Sequence, residues 1–95
     1  MASSIMPHNL KGVCYVCKAH CDTQEHHIFE GANRAASERT GLKCDLCPVC
    51  HRRAHEHPEA FENLTHLKRD AQRLAMEYYG WTVDDFRERF RKDYT

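Results

Sequence analysis

From Phe61 onward the apolar residues keep to helical steps. Phe61, Leu64, Leu67, Ala71, Leu74, Ala75 and Tyr78 recur every three or four positions, which lays them along one stripe of a helix. Pro58 suits the first turn of that helix and Gly80 its end, so a single helix is predicted between them. Thr82 can N-cap a last helix, with Asp84 and Asp85 favourable in its first turn and Val83, Phe86, Phe90 and Tyr94 as its apolar edge. Both stripes read as packing surfaces. Upstream the pattern shortens. Thr23 to Phe29 ends in the apolar pair Ile28-Phe29 and reads as a strand, and Leu42 to Leu46 reads as a second one. Between them Gly31 and Gly41 bracket helix-forming residues, predicting a short helix or helical loop. Pro48 then sits where a helix can start, with Val49 to Glu56 as its body. Residues 1–12 show no periodicity, carry Pro7 and Gly12, and are expected to form a flexible lead.

The length of 95 residues fits one small domain with a modest core. No apolar run approaches the roughly 20 residues that span a bilayer. The N-terminus has neither a basic start nor an apolar stretch, which predicts no secretory signal and a cytoplasmic protein. Lys and Arg number 14, as do Asp and Glu, so a strongly basic, coat-like nucleic-acid binder is excluded. Charge is not segregated either: residues 1–57 carry seven basic and six acidic side chains, residues 58–95 seven and eight. Any DNA affinity should therefore be modest and sensitive to salt.

Six Cys and eight His in 95 residues change the picture, because both types ligate metals. Cys14 and Cys17 form one C-x2-C pair, Cys47 and Cys50 another. Two such turns bring four thiolates around one tetrahedral ion, so a structural Zn2+ is expected in preference to disulfides or a redox pair. Cys21 and Cys44 are left over as small buried or free thiols. The composition shifts near His57. Residues 13–57 hold every Cys and most His as the metal-bearing core, and residues 58–95 form a helical extension packed on it.

The histidines fall in register with the cysteines. His26-His27 lies on the first strand, and His51, directly after Cys50, is followed by His55 at i+4 on the same helix face. That face can share a cation, with His26 or His27 as a third ligand and the other as a free imidazole beside it. Arg34, Arg52 and Arg53 are candidates to contact phosphates.

In combination, Cys14-x2-Cys17, His26-His27 and Cys47-Pro-Val-Cys50-His51 resemble the HNH endonucleases of the ββα-metal, or His-Me finger, class. The added His55 looks like the His-x3-His helix of the colicin-type branch. The stretch from His27 through Gly31, with Asn33-Arg34 and Gly41-Leu42, is similar to small HNH proteins of bacteriophages and prophages. The resemblance covers roughly Cys14 to His55. It implies an α+β fold: a small zinc-stabilised ββα-metal, treble-clef-like core, followed here by two C-terminal helices. It implies His27 as general base, and His26, His51 and His55 as ligands of a catalytic divalent cation, Mg2+, Mn2+, Ni2+ or Zn2+. The implied activity is metal-dependent hydrolysis of DNA phosphodiester bonds with one metal, on double-stranded DNA, in a bacterial or phage-infected cell and in company with larger phage or recombination machinery. One position departs from the family. The Asn that holds the base imidazole should fall near Leu42, which leaves a backbone carbonyl or Asn33 to do so. The competing class is a non-catalytic zinc-binding adaptor that holds DNA or a protein. An adaptor has no use for a free imidazole beside an open cation site.

Overall fold

A computed structural model describes residues 3–95. It is an α+β domain built on one antiparallel hairpin. Strand β1, Gln24–His27, pairs with β2, Lys43–Leu46, in a register that sets His26 opposite Cys44 and His27 opposite Lys43. The hairpin is opened by a turn of 3-10 helix, Gly31–Asn33, and by α1, Arg34–Thr40, which closes at Gly41 in the left-handed region with φ of 77°. Glycine is required there twice over. A Cβ at Gly41 would collide with the backbone oxygen of Ser3, and φ is positive.

Downstream of β2, α2 covers Pro48–Glu56, with Cys47 as N-cap. It is followed by α3, Pro58–Thr65, α4, Leu67–Tyr79, and α5, Val83–Phe90. Three helices thus follow Pro58 where two were expected. The continuous stripe breaks at His66, which takes φ of 54°. The Glu62 carboxylate accepts from the backbone N–H groups of Lys68 and Arg69 at 2.8 and 3.2 Å, and the Thr65 hydroxyl accepts from that of Leu67 at 3.2 Å. These bonds satisfy the open donors of the new helix start. The break also discards part of the expected stripe: Phe61, Leu67, Ala71 and Ala75 are buried, whereas Leu64 is 79% and Tyr78 63% exposed. No helix among the described residues is long and apolar enough to cross a membrane.

Phe29, just past β1, is the hub of the core. Its ring lies 5.5 Å from Phe86, 4.8 Å from Phe90 and 4.9 Å from Tyr94, centroid to centroid. Ile28, Leu42 and Leu46 complete the buried face of the hairpin. The C-terminal residues are held by Gln72, fully buried on α4, which donates to Asp93 Oδ1 at 2.8 Å and accepts from the Tyr94 backbone N–H at 2.6 Å. The N-terminal segment, expected as a flexible lead, lies against β2 and the end of α1 over residues 4–9. Ile5 N–H donates to the Gly41 carbonyl at 2.9 Å, Ser4 Oγ to that of Lys43 at 2.5 Å, and the Asn9 side chain accepts from the Asp45 N–H at 2.9 Å. Met6 is buried beneath it. A polar segment docks here through hydrogen bonds that apolar periodicity does not report.

Candidate functional site

The two C-x2-C turns meet. The first is closed by Cys14 N–H donating to the Ala19 carbonyl at 2.9 Å and is tied to β2 by Tyr15 N–H on the Asp45 carbonyl at 2.8 Å. The second is the N-terminus of α2. In each pair the first sulfur accepts from the backbone N–H of the second cysteine, Cys14 from Cys17 and Cys47 from Cys50, both at 3.4 Å. The four Sγ atoms lie within 4.8 Å of one another, and those of Cys17 and Cys47 are 3.7 Å apart. Four thiolates at a Zn–S distance of about 2.3 Å on a tetrahedron would stand roughly 3.8 Å apart, so the arrangement fits a structural metal such as zinc. Burial opposes ionisation of Cys14, but N–H groups of Cys47, Cys17 and Val16 outweigh it and bring its thiol down to about 6. No disulfide joins cysteines among the described residues, and Cys21 and Cys44 stand outside the cluster. Burial pushes the Cys44 thiol up to about 12, which suits an inert core side chain.

His26, His51 and His55 form a second cluster, with one ring nitrogen of each within 4.8 Å of the others. The strand pleat turns His26 toward α2 and the helical repeat stacks His51 and His55 on the face that meets it. Ring centroids are 5.3 Å from His26 to His51, 5.5 Å from His26 to His55 and 4.7 Å between the two helical rings, whose Nε2 atoms approach to 3.0 Å. His26 is only 2% exposed, and its Nδ1 has no hydrogen-bond partner. Burial, followed by His51 and His55, lowers the His26 pKa to about 3; burial and His55 lower that of His51. These rings are thus held neutral with lone pairs available, the state a cation requires. Two residues that spacing did not single out brace them. His51 Nδ1 meets Gln24 Oε1 at 2.6 Å. Glu30 reaches His26 Nε2 at 3.6 Å with one oxygen and His55 Nδ1 at 3.4 Å with the other.

His27 faces the other way. Its Nε2 lies 2.7 Å from Glu38 Oε1, while the second oxygen of Glu38 accepts from Lys43 Nζ at 2.8 Å. Lys43 is buried and also reaches Glu25 at 3.3 Å. Hydrogen bonds from Lys43 and His27 lower the Glu38 pKa to about 2. Neither expected holder of His27 touches it. Asn33 Nδ2 donates to the Phe90 carbonyl at 2.9 Å, and the Leu42 carbonyl accepts from Ile28 N–H at 3.0 Å and from the Ser37 hydroxyl. Glu25, His27 and Glu38 are also close enough to hold an ion. The Lys43 ammonium already occupies both carboxylates, so this group fits a cation poorly.

A cavity of about 360 Å³ joins the parts: His27, His51, His55, Glu30 and Arg34 line it. A larger one, about 460 Å³ beside the N-terminal segment, is lined by Ser3, Ser4, Asn9, Lys43 and Asp45 and contains no imidazole. Of the three arginines singled out, only Arg34 lines the histidine cavity. Arg52 is exposed and pairs weakly with Glu56 at 3.9 Å, and Arg53 lines a separate apolar groove with Phe61 and Leu64. No protein-family model, curated protein or solved structure matches the chain.

Proposed function

We propose that this protein is a metal-dependent DNA endonuclease of the HNH, ββα-metal type, with a structural Zn2+ on Cys14, Cys17, Cys47 and Cys50. The observation that carries the reading is the convergence of three imidazoles, His26, His51 and His55, on one point, with His27 lining the same cavity as His51 and His55 but held outside that cluster. The unpartnered, buried His26 Nδ1 favours a ligand over a purely structural ring, because an orphaned buried nitrogen is costly unless something else satisfies it.

A divalent cation bound there would supply Lewis-acid polarisation of the scissile phosphate and stabilise the leaving 3′ oxygen. The chain's own residues account for the rest. His27 takes a proton from the attacking water. Glu30 and Gln24 keep the ligand rings oriented. Arg34, at the cavity wall, meets a neighbouring phosphate. The substrate is double-stranded DNA and the setting is the cytoplasm of a bacterial or phage-infected cell. With zero net charge, electrostatic attraction to DNA is weak, which suits a relaxed or nicking activity delivered by a larger phage or recombination assembly.

Plasmid nicking with Mg2+, Mn2+, Ni2+ and Zn2+, wild type against His27→Ala, tests the reading. Wild type should convert supercoiled plasmid to open circles, and the variant should lose about 10²–10⁴ of that rate with its metals retained. A wild type that cuts nothing with any of these cations overturns the reading in favour of the zinc-binding adaptor.

A further inference from the structure

We infer that Glu38, anchored by Lys43, is the positioning residue for His27, fixing its Nε2–H tautomer and leaving Nδ1 as the basic nitrogen. This rests on the nuclease reading only for its catalytic consequence. The bond itself is a property of the fold.

Glu38 sits on α1 and His27 at the end of β1, eleven residues apart, with Nε2 and Oε1 at 2.7 Å. A carboxylate has no proton to give. Glu38 is kept as a carboxylate by the ammonium of Lys43, 2.8 Å from its second oxygen. It can therefore only accept, so the hydrogen in the contact belongs to Nε2, and in the neutral form of the ring the lone pair is left on Nδ1. Lys43 is in turn fixed from two sides, by Glu38 and by Glu25, and is buried to 4% exposure. The three residues form a braced line, Lys43 to Glu38 to His27, and each long side chain is held at its charged end. An imidazole restrained in one tautomer and one orientation presents its base more often than a free one. The carboxylate does the work that the family assigns to an asparagine, at a position where this chain carries Leu42.

The test uses the full chain, 15N-labelled and loaded with zinc, with His27 resonances assigned by their loss in His27→Ala. Long-range 1H–15N spectra of wild type should show the Nε2–H tautomer. In Glu38→Ala the same signals should move to the mixed-tautomer pattern of a free imidazole. Glu38→Gln keeps a single oxygen, which can accept from His27 Nε2–H but leaves an NH2 group facing Lys43, so it should hold the Nε2–H tautomer more weakly than wild type, which serves if the alanine variant fails to fold. In plasmid nicking, Glu38→Ala should lower kcat by about 10–10²-fold, with the DNA KM and the Mn2+ titration unchanged and with partial recovery in Glu38→Gln. A wild-type spectrum in the Nδ1–H tautomer overturns the inference, as does one that Glu38→Ala leaves unaltered, or a Glu38→Ala that nicks at the wild-type rate. If wild type nicks nothing, the nuclease reading falls while the spectra still decide the Glu38–His27 bond.

Discussion

His26 and His27 are neighbours in the chain and strangers in the fold. The alternation of a strand sends one into a buried cluster with His51 and His55 and the other to Glu38. Their substitutions should therefore fail in different ways. His26→Ala and His51→Ala should abolish or shift the second-metal binding curve read by Mn2+ titration, and His55→Ala should weaken it so that added cation partly restores cutting. His27→Ala should leave that curve in place. A second expectation concerns acid. The pKa of Glu38 is lowered from 4.5 to about 2 by Lys43 and His27. Its contribution to stability is thus present in full above about 4.5 and lost as pH falls toward about 2. The gap in urea midpoint between wild type and Glu38→Gln should be constant near neutrality and shrink below pH 4.5; a gap independent of pH would show that the charge contributes nothing. The two clusters were legible in the sequence because a C-x2-C pair and an i, i+4 pair are short-range patterns tied to turn and helix geometry. Glu38, Glu30 and Gln24 were not, because each reaches its histidine across a tertiary gap that no local spacing encodes.

Individual elements were readable wherever a cap or a breaker marked them. Gly41 and Gly80 end their helices in the left-handed region, and Pro48 and Pro58 open theirs. At Thr82 the expected N-cap is a full capping box: its hydroxyl accepts from Asp85 N–H at 3.1 Å, and the Asp85 carboxylate accepts from Thr82 N–H at 2.9 Å. Thr82→Ala should cost about 1 kcal/mol, a fall of several degrees in melting temperature by circular dichroism with metals saturating. Phe90→Ala, by contrast, removes a fully buried ring from beside Phe29 and should cost about 3–5 kcal/mol. The break at His66 escaped the pattern because α3 and α4 keep similar apolar spacing on either side of it. The second start is marked instead by the left-handed turn at His66, the Thr65 hydroxyl on the Leu67 N–H and the Glu62 carboxylate folded onto two backbone N–H groups.

For the molecule as a whole, the cysteine cluster joins the segment before β1 to the start of α2, so an ion held there would close the domain around the hairpin. Purified protein should hold about one tight zinc, and its removal should melt the helices, since such sites contribute on the order of 10 kcal/mol or more. Cys17→Ala and Cys47→Ala should give the same unfolded spectrum; metal analysis without zinc, or a mass showing three disulfides, would refute this. A weak chelator should strip the histidine site first and leave the circular dichroism unchanged. The cysteine cluster draws two members from each side of the hairpin, Cys14 and Cys17 before it and Cys47 and Cys50 after it, and the histidine cluster joins His26 to His51 and His55, while Phe29 is covered by Phe86 and Phe90 of α5 and by Tyr94. On the ribosome, then, Cys14 and Cys17 emerge well before Cys47 and Cys50, and long before the core that shields them. The nascent chain presents a bare two-thiolate claw to the cell's metal pool. An ion captured at that stage should be chosen by supply and thiolate affinity, so growth in cobalt- or iron-rich medium should alter the metal found in the finished protein.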